Sequence, residues 1–162
     1  MNNPRRSIKF LTLPFVVCLL VSVSGCGEDE FVDVRSKVPV VPVTGKILVD
    51  GSPLVAPKLA RVVLHADAAT KEKLPADIPA PSAWTSADGS TFNIGTYDGG
   101  DGAPAGTYKV TIEGGTRSMM NGSFTGGLLN GKYKDPGTTE FSVTITGEEA
   151  EVDLGTFELS TK

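Results

Sequence analysis

The chain is poor in cysteine, histidine and tryptophan, and positive charge does not predominate in it. Its 162 residues include two Cys, one His and one Trp, with 15 Lys and Arg against 19 Asp and Glu. This balance excludes a nucleic-acid binder that acts by neutralising phosphates, because such a protein needs a basic stripe. The single His and the lack of clustered Cys and His argue against a transition-metal site.

Long apolar runs are absent except near the N-terminus. Three basic residues, Arg5, Arg6 and Lys9, precede a mostly apolar stretch over residues 10–23. A helix of that length spans about 21 Å, which is too short for the ~30 Å hydrocarbon core of a bilayer. The positive start, the short apolar run and the small residues after it predict a secretory signal peptide over residues 1–25.

The end of this segment resembles the lipobox of bacterial lipoproteins. Residues 23–26 read Val-Ser-Gly-Cys, an aliphatic residue and two small residues before a cysteine. The resemblance implies that diacylglycerol is attached to Cys26, that the chain is cleaved before it, and that the new amine is acylated. Cys18 would leave with the signal peptide, so no disulfide is expected in the mature chain. The alternative is an ordinary signal peptide followed by a chance cysteine.

The lipobox also bears on location. Two or more acyl chains give stable anchoring, so we expect a protein held at the cell envelope by lipid alone. Gly27 follows Cys26 in place of the Asp that favours inner-membrane retention, which favours the outer membrane. The Arg5–Arg6 pair leaves both the Sec route and the twin-arginine route open. Residues 26–39 are expected to form a lipidated Cys and a flexible acidic tether, and residues 40–162 one domain.

Within that domain, apolar residues alternate with period two and no helical period is sustained. Alternation predicts seven strands, at residues 41–49, 60–66, 84–86, 91–96, 107–113, 141–145 and 152–159. Residues 67–83 are predicted to be a loop with one short helical turn. Apolar parity changes within the last strand, and Gly155 is the natural place for a bulge. We therefore predict an all-β, seven-stranded antiparallel Greek-key sandwich, with a shared core of Val43, Ile47, Phe92, Tyr108, Val110, Ile112, Val143 and Ile145.

Several of these segments resemble carboxypeptidase regulatory-like domains. The first strand and its turn, residues 43–54, read VTGKILVDGSPL and are similar to the opening hairpin of that family. The Asp-Gly turn at 88–89, the Phe-x-Ile strand at 92–94 and the Gly-x-Tyr-x-Val-x-Ile strand at 106–112 match its second signature. Residues 132–135, Lys-Tyr-Lys-Asp, resemble the end of small bacterial lipoproteins that carry this domain. The resemblance implies a transthyretin-like (prealbumin-type) sandwich, and it specifies function poorly.

Residues able to support catalysis or ligand binding are few. His65 lies on a predicted strand, no Gly-x-Ser-x-Gly elbow accompanies it, and we expect a half-exposed surface side chain rather than a catalytic one. Asp98 and Asp101 flank a Gly-rich loop that could begin a calcium site, although turn chemistry also explains these residue types. Trp84 and Tyr97 could form a platform for stacking sugars. No cofactor and no metal are expected.

The segment 114–139 is long and rich in glycine, yet it contains apolar side chains that linkers lack. It could fold back over the open end of the sandwich or form a surface for docking a partner. The candidate interaction loop comprises Met119, Met120, Phe124, Leu128 and Leu129.

Three functions remain open. We expect first a lipid-anchored envelope module with a structural or protein-binding role and no catalysis. An envelope carbohydrate-binding module is the alternative, which aromatic side chains clustered on one sheet face would favour. An unrecognised hydrolase that uses carboxylates is the third. The expected partners are the membrane, through the lipid on Cys26, and envelope proteins or glycans.

Overall fold

The computed structural model describes residues 37–87 and 90–162. Cys26, the signal peptide and most of the tether lie outside these residues. In the described part of the chain no helix is both long and apolar enough to cross a membrane. The same residues form one short helix, α1 Ala68–Lys73, and ten strands: β1 Val40–Val41, β2 Val43–Val49, β3 Lys58–Ala66, β4 Ser82–Trp84, β5 Thr91–Asn93, β6 Ala103–Pro104, β7 Gly106–Arg117, β8 Phe124–Gly126, β9 Ser142–Ile145 and β10 Val152–Leu159.

These strands form several sheets. The large sheet has the order β4-β3-β7-β8, with β9 also paired to β7, and the small sheet has the order β10-β2-β5. A third pair, β1 with β6, lies at the start of the domain. Apolar side chains from the large and small sheets belong to one buried cluster, so the protein is mostly β and consistent with an all-β sandwich.

The predicted strand count and the predicted antiparallel pairing are both corrected. Strands β6 and β8 are additional, and the predicted strand 41–49 is divided into β1 and β2. Strand β10 pairs with β2 in parallel, whereas every other pair between strands in the described residues is antiparallel. A parallel pair requires a long crossover, and here all the chain between β2 and β10 serves as that crossover.

The core follows the predicted alternation closely. Along β2 the valines and Ile47 are buried while Lys46 is exposed, and along β7 the side chains of Tyr108, Val110 and Ile112 are buried. Seven of the eight predicted core residues are buried, and the eighth, Val143, packs against the cluster from a half-buried place. Period-two burial is therefore what stabilises the packed sheets.

Burial perturbs the one phenol at the centre of this core. The Tyr108 hydroxyl donates a hydrogen bond to the carbonyl of Pro104 at 2.9 Å. Removal from water, followed by the nearby charge of Asp67, raises the pKa of Tyr108 to about 12. The hydroxyl thus remains protonated at neutral pH and keeps its donor role.

Helix α1 confirms the predicted helical turn, and it fastens the end of the large sheet. Asp67 caps the helix by accepting a hydrogen bond from the Thr70 backbone at 2.8 Å. That bond is the main reason why the pKa of Asp67 is lowered. The Thr70 hydroxyl accepts a hydrogen bond from the backbone N–H of Thr107 at 2.9 Å. This bond connects the helix to the start of β7.

The last strand contains the predicted bulge. The β2–β10 register shifts between Asp153 and Thr156, and Gly155 adopts a φ of +70° that L side chains rarely take. The Asp153 carboxylate accepts from the Gly155 N–H at 2.8 Å and stabilises this kink. The extra residue turns Phe157 and Leu159 into the core despite their opposite parity.

The chain enters the domain at one end of the large sheet. Val40 pairs with Pro104 and Val41 with Ala103, just before β7 begins. The N–H of Val38 donates to the Tyr97 hydroxyl at 2.8 Å. Strand β7 has twelve residues, so its far end lies about 40 Å away at ~3.3 Å per residue.

Replacing Val110 by Ala should destabilise the domain by about 2 kcal/mol, because the change leaves a cavity in a fully packed core. Lys109→Ala, an exposed neighbour on the same strand, should cost less than about 0.5 kcal/mol. Urea unfolding followed by circular dichroism measures both. Equal losses would contradict the inward assignment of Val110.

Candidate functional site

Segment 114–139 is a hairpin followed by a return into the core, rather than one long loop. Strand β7 continues to Arg117, four residues beyond the predicted end, and pairs with β8. Residues 118–123 form the hairpin tip, closed by a hydrogen bond from the Ser118 N–H to the Ser123 carbonyl at 2.8 Å. Met119 and Met120 lie at this tip and are 91% and 98% exposed.

The returning half belongs to the core. Leu129 is 2% exposed, and Leu128 packs against the core cluster from a half-buried place. The N–H of Ile112 donates to the Tyr133 carbonyl at 2.9 Å, which continues the edge of β7. The predicted interaction loop is therefore too long: Leu128 and Leu129 are structural, and Met119, Met120 and Phe124 remain candidates.

Phe124 lies on the outer face of the large sheet, the face that does not contact the core. Its ring packs edge-on against Trp84, with centroids 4.8 Å apart and planes at 69°. The ring sits over Gly115, where an added Cβ would come within 2.6 Å of the Phe124 Cζ. A glycine is therefore needed at residue 115 so that the two rings can meet across the sheet.

Two arginines approach the same indole ring. The guanidinium carbon of Arg61 lies 5.9 Å from the Trp84 ring centroid, and that of Arg117 lies 5.8 Å from it. Strand register explains both approaches, since Arg61 pairs with Trp84 and Arg117 pairs with Phe124. We call these four side chains the arginine–tryptophan patch. Contacts of this kind stabilise a cation by about 0.5–1 kcal/mol at exposed sites.

The carboxylate of Glu113, next to the patch, forms an ion pair with Lys134. Glu113 faces Arg61 across the β3–β7 ladder. Its Oε1 lies 3.7 Å from the Lys134 Nζ, in an ion pair exposed to solvent. Neither guanidinium of the patch has an ion-pair partner in the described residues.

Trp84 was predicted to pair with Tyr97 in a sugar platform, and the structure instead pairs it with Phe124. Tyr97 accepts a hydrogen bond from the Val38 N–H, and the Lys37 Nζ lies 5.6 Å from its ring centroid. It therefore contributes to holding the entering chain. The signal for Phe124 in the sequence was the Gly114–Gly115 pair, which interrupts the alternation at the place where the ring rests.

Asp101 organises a turn. Its two carboxylate oxygens accept hydrogen bonds from the backbone N–H groups of Thr96, Tyr97 and Asp98, at 2.7, 3.1 and 3.2 Å. Across the described residues no group of three or more His, Cys, Asp and Glu side chains is placed to hold a metal ion. The geometry favours the turn interpretation of the 98–102 loop.

His65 is half-buried at the wall of a pocket of about 360 Å³ that the Pro-rich segment before β4 covers. Its Nε2 lies 2.8 Å from the Thr111 hydroxyl. Strand alternation puts Thr111 on the face opposite Val110, yet Thr111 is only 6% exposed, because His65 covers it. A hydroxyl so enclosed is closed to a substrate.

Burial, and secondarily the positive charge of Lys71, lowers the pKa of His65 from its ordinary value. The folded protein therefore resists protonation that the unfolded chain accepts. Stability contributed by neutral His65 is present above the unfolded pKa of about 6.5 and is lost as pH falls below it.

We expect unfolding free energy to fall more steeply between pH 7.5 and 5.5 in the wild type than in His65→Gln, which cannot titrate. Denaturant unfolding at four pH values gives both slopes, and the carboxylates, present in both proteins, cancel in the comparison. Identical slopes would show that His65 titrates alike in both states.

No family model matches the chain, and no curated protein matches it. The resemblances to lipoproteins and to carboxypeptidase regulatory-like domains therefore rest on the residues quoted above.

Proposed function

We propose that the protein is a lipid-anchored cell-envelope module with a structural or protein-binding role, built as a transthyretin-like sandwich with Greek-key connections. The signal peptide and lipobox ending at Cys26 support the anchor. The regulatory-like motifs support the finer fold assignment, since residues 43–49, 92–93 and 106–112 of those motifs form strands of a mostly β domain. The outer membrane is the favoured location.

The observation that carries the binding role is the exposure of Met119 and Met120 at the hairpin tip. Neighbouring apolar side chains with flexible, polarisable thioethers suit an adaptable contact with a protein. Burying two such side chains against a partner would contribute about 1.5–3 kcal/mol each before ordering costs.

The direction of the tip agrees with this role. Residues 40–41, where the described chain enters the domain, lie beside the start of β7, and the tip projects from the opposite end of that strand. A tether of about a dozen residues reaches at most about 40 Å. A domain held at one end would thus present the methionines away from its anchored end, where another envelope component can reach them.

The proposal assigns no catalysis. His65 has a buried threonine hydroxyl as its hydrogen-bond partner. This hydrogen bond stabilises the fold. A hydrolase with a His-activated hydroxyl needs that hydroxyl to be accessible to its substrate.

A carbohydrate-binding role is the second candidate, and one observation favours it. Trp84 and Phe124 are clustered on one sheet face, and Trp84 is 38% exposed. Aromatic rings on a flat sheet can stack against the apolar faces of sugars.

The protein-binding role predicts a specific crosslink at the tip. A photo-crosslinking amino acid at residue 120 should give a discrete adduct in intact cells, and the adduct should disappear when Met119 is replaced by Ser. The same probe at Val55, another exposed apolar side chain, is the matched control.

Thermal stability should change by less than about 1–2 °C in Met119→Ser, because the side chain is not buried in the domain. An adduct of the same size from residue 55, or none from residue 120, would argue against a tip-specific partner.

The anchor has its own test. Cys26→Ser removes the thiol that accepts lipid, so the precursor should remain uncleaved by the lipoprotein peptidase and carry no diacylglycerol. Mass spectrometry of the purified chain reports both. Cys18→Ser, which removes a cysteine within the signal segment, should be processed normally. Normal processing of Cys26→Ser would refute the lipoprotein assignment.

A further inference from the structure

The arginine–tryptophan patch joins a partly exposed aromatic ring to two guanidiniums that have no ion-pair partner among the described residues. We propose that this patch, on the outer face of the β4-β3-β7-β8 strands, binds an acidic polysaccharide. Trp84 stacks on a sugar ring, and Arg61 and Arg117 hold carboxylates of the polymer. The proposal deepens the second candidate function and does not depend on the hairpin tip.

The aromatic half of the site is held in place. Phe124 braces the Trp84 ring edge-on at 4.8 Å and is itself seated against Gly115. An indole fixed in this way loses little rotamer freedom on stacking, so more of the contact energy appears as affinity. Trp84 is 38% exposed, and an indole ring is an apolar surface of the kind that pyranose C–H groups cover.

The cationic half is unsatisfied. Both guanidiniums lie within 6 Å of the ring centroid, at 5.9 and 5.8 Å, and have no carboxylate partner in the described residues. Glu113, which shares this face, is paired with Lys134. A guanidinium binds a carboxylate through two parallel hydrogen bonds. The contact with the Trp84 ring does not use these donors in that way, so they can bind a carboxylate of a ligand.

Many of the acidic residues belong to segments outside the patch. The chain carries 19 Asp and Glu, and a group of them lies between residues 140 and 158, around β9 and β10: Glu140, Glu148, Glu149, Glu151, Asp153 and Glu158. A polyanion is repelled from that region, while Arg61 and Arg117 attract it to the outer face of the large sheet.

Both halves of the patch are needed to identify the ligand. An acidic polypeptide offers carboxylates without pyranose rings, and a neutral polysaccharide offers rings without carboxylates. A uronic acid polymer carries a pyranose ring and a carboxylate on each successive sugar. One ring can therefore stack on the indole while neighbouring carboxylates reach the two arginines. We therefore assign the ligand to the acidic polysaccharides.

The chain contains one tryptophan, and it lies in the patch, so its fluorescence reports binding directly. The full chain in detergent is titrated with polygalacturonate, with neutral galactan and with poly-glutamate. Polygalacturonate should change Trp84 emission saturably, and the other two polymers should bind at least roughly tenfold more weakly, since each lacks one of the two contacts.

Arg61→Gln with Arg117→Gln should weaken polygalacturonate binding by roughly tenfold or more. Lys46→Gln with Lys109→Gln removes the same charge from exposed strand residues elsewhere and should leave binding nearly unchanged. Trp84→Ala, followed by calorimetry, should also lose binding, with far-UV circular dichroism confirming the fold. Met119→Ser should bind polygalacturonate like the wild type, so that failure of the protein-docking role and failure of this site are distinguishable.

Several results would overturn the assignment. Absence of polygalacturonate binding would do so directly. Equal binding of poly-glutamate would make the patch a site for acidic polypeptides, and equal binding of galactan would remove the arginines from recognition. Equal loss in the two double variants would reduce the effect to overall charge.

Discussion

The pairing of β3 with β7 is the constraint on which most of the molecule depends. The register matches Lys58 with Thr116 at one end and Ala66 with Tyr108 at the other, so β3 is paired along its whole length. One face of this ladder supplies Val62, Leu64 and Ile112 to the core. Because side chains alternate across a strand, the same register determines which side chains meet on the outer face.

That outer face has two distinct regions, one toward each end of the ladder. Near the end where the chain enters the domain, His65 covers Thr111 and a Pro-rich segment encloses a pocket. Farther along, the absence of a side chain at Gly115 lets the Phe124 ring pack against that residue and reach Trp84. The first region is closed by its own contacts, whereas the second leaves an indole partly exposed and two guanidiniums without an ion-pair partner among the described residues. This contrast is why the proposed ligand site lies on the second region.

The hairpin extends the ladder beyond the core. Strand β7 passes the last buried residues and carries the hairpin tip into solvent. After the tip the chain returns to bury Leu129 and Tyr133. Core packing on the return leg holds the hairpin at its base, so the exposed methionines are displayed on a supported element rather than on a free linker.

Period-two alternation alone determined the main strands, the inward residues from Val43 to Ile145 and the bulge at Gly155, because burial on one face of a sheet requires that pattern. Composition likewise indicated a chain without a basic binding stripe. The tertiary structure decided the rest. Parallel pairing of β10 with β2, the burial of Thr111, and the meeting of Trp84 with Phe124 each join residues far apart in the chain. Local periodicity carries no information about which distant strand becomes a neighbour, and that choice is made when the sheets pack.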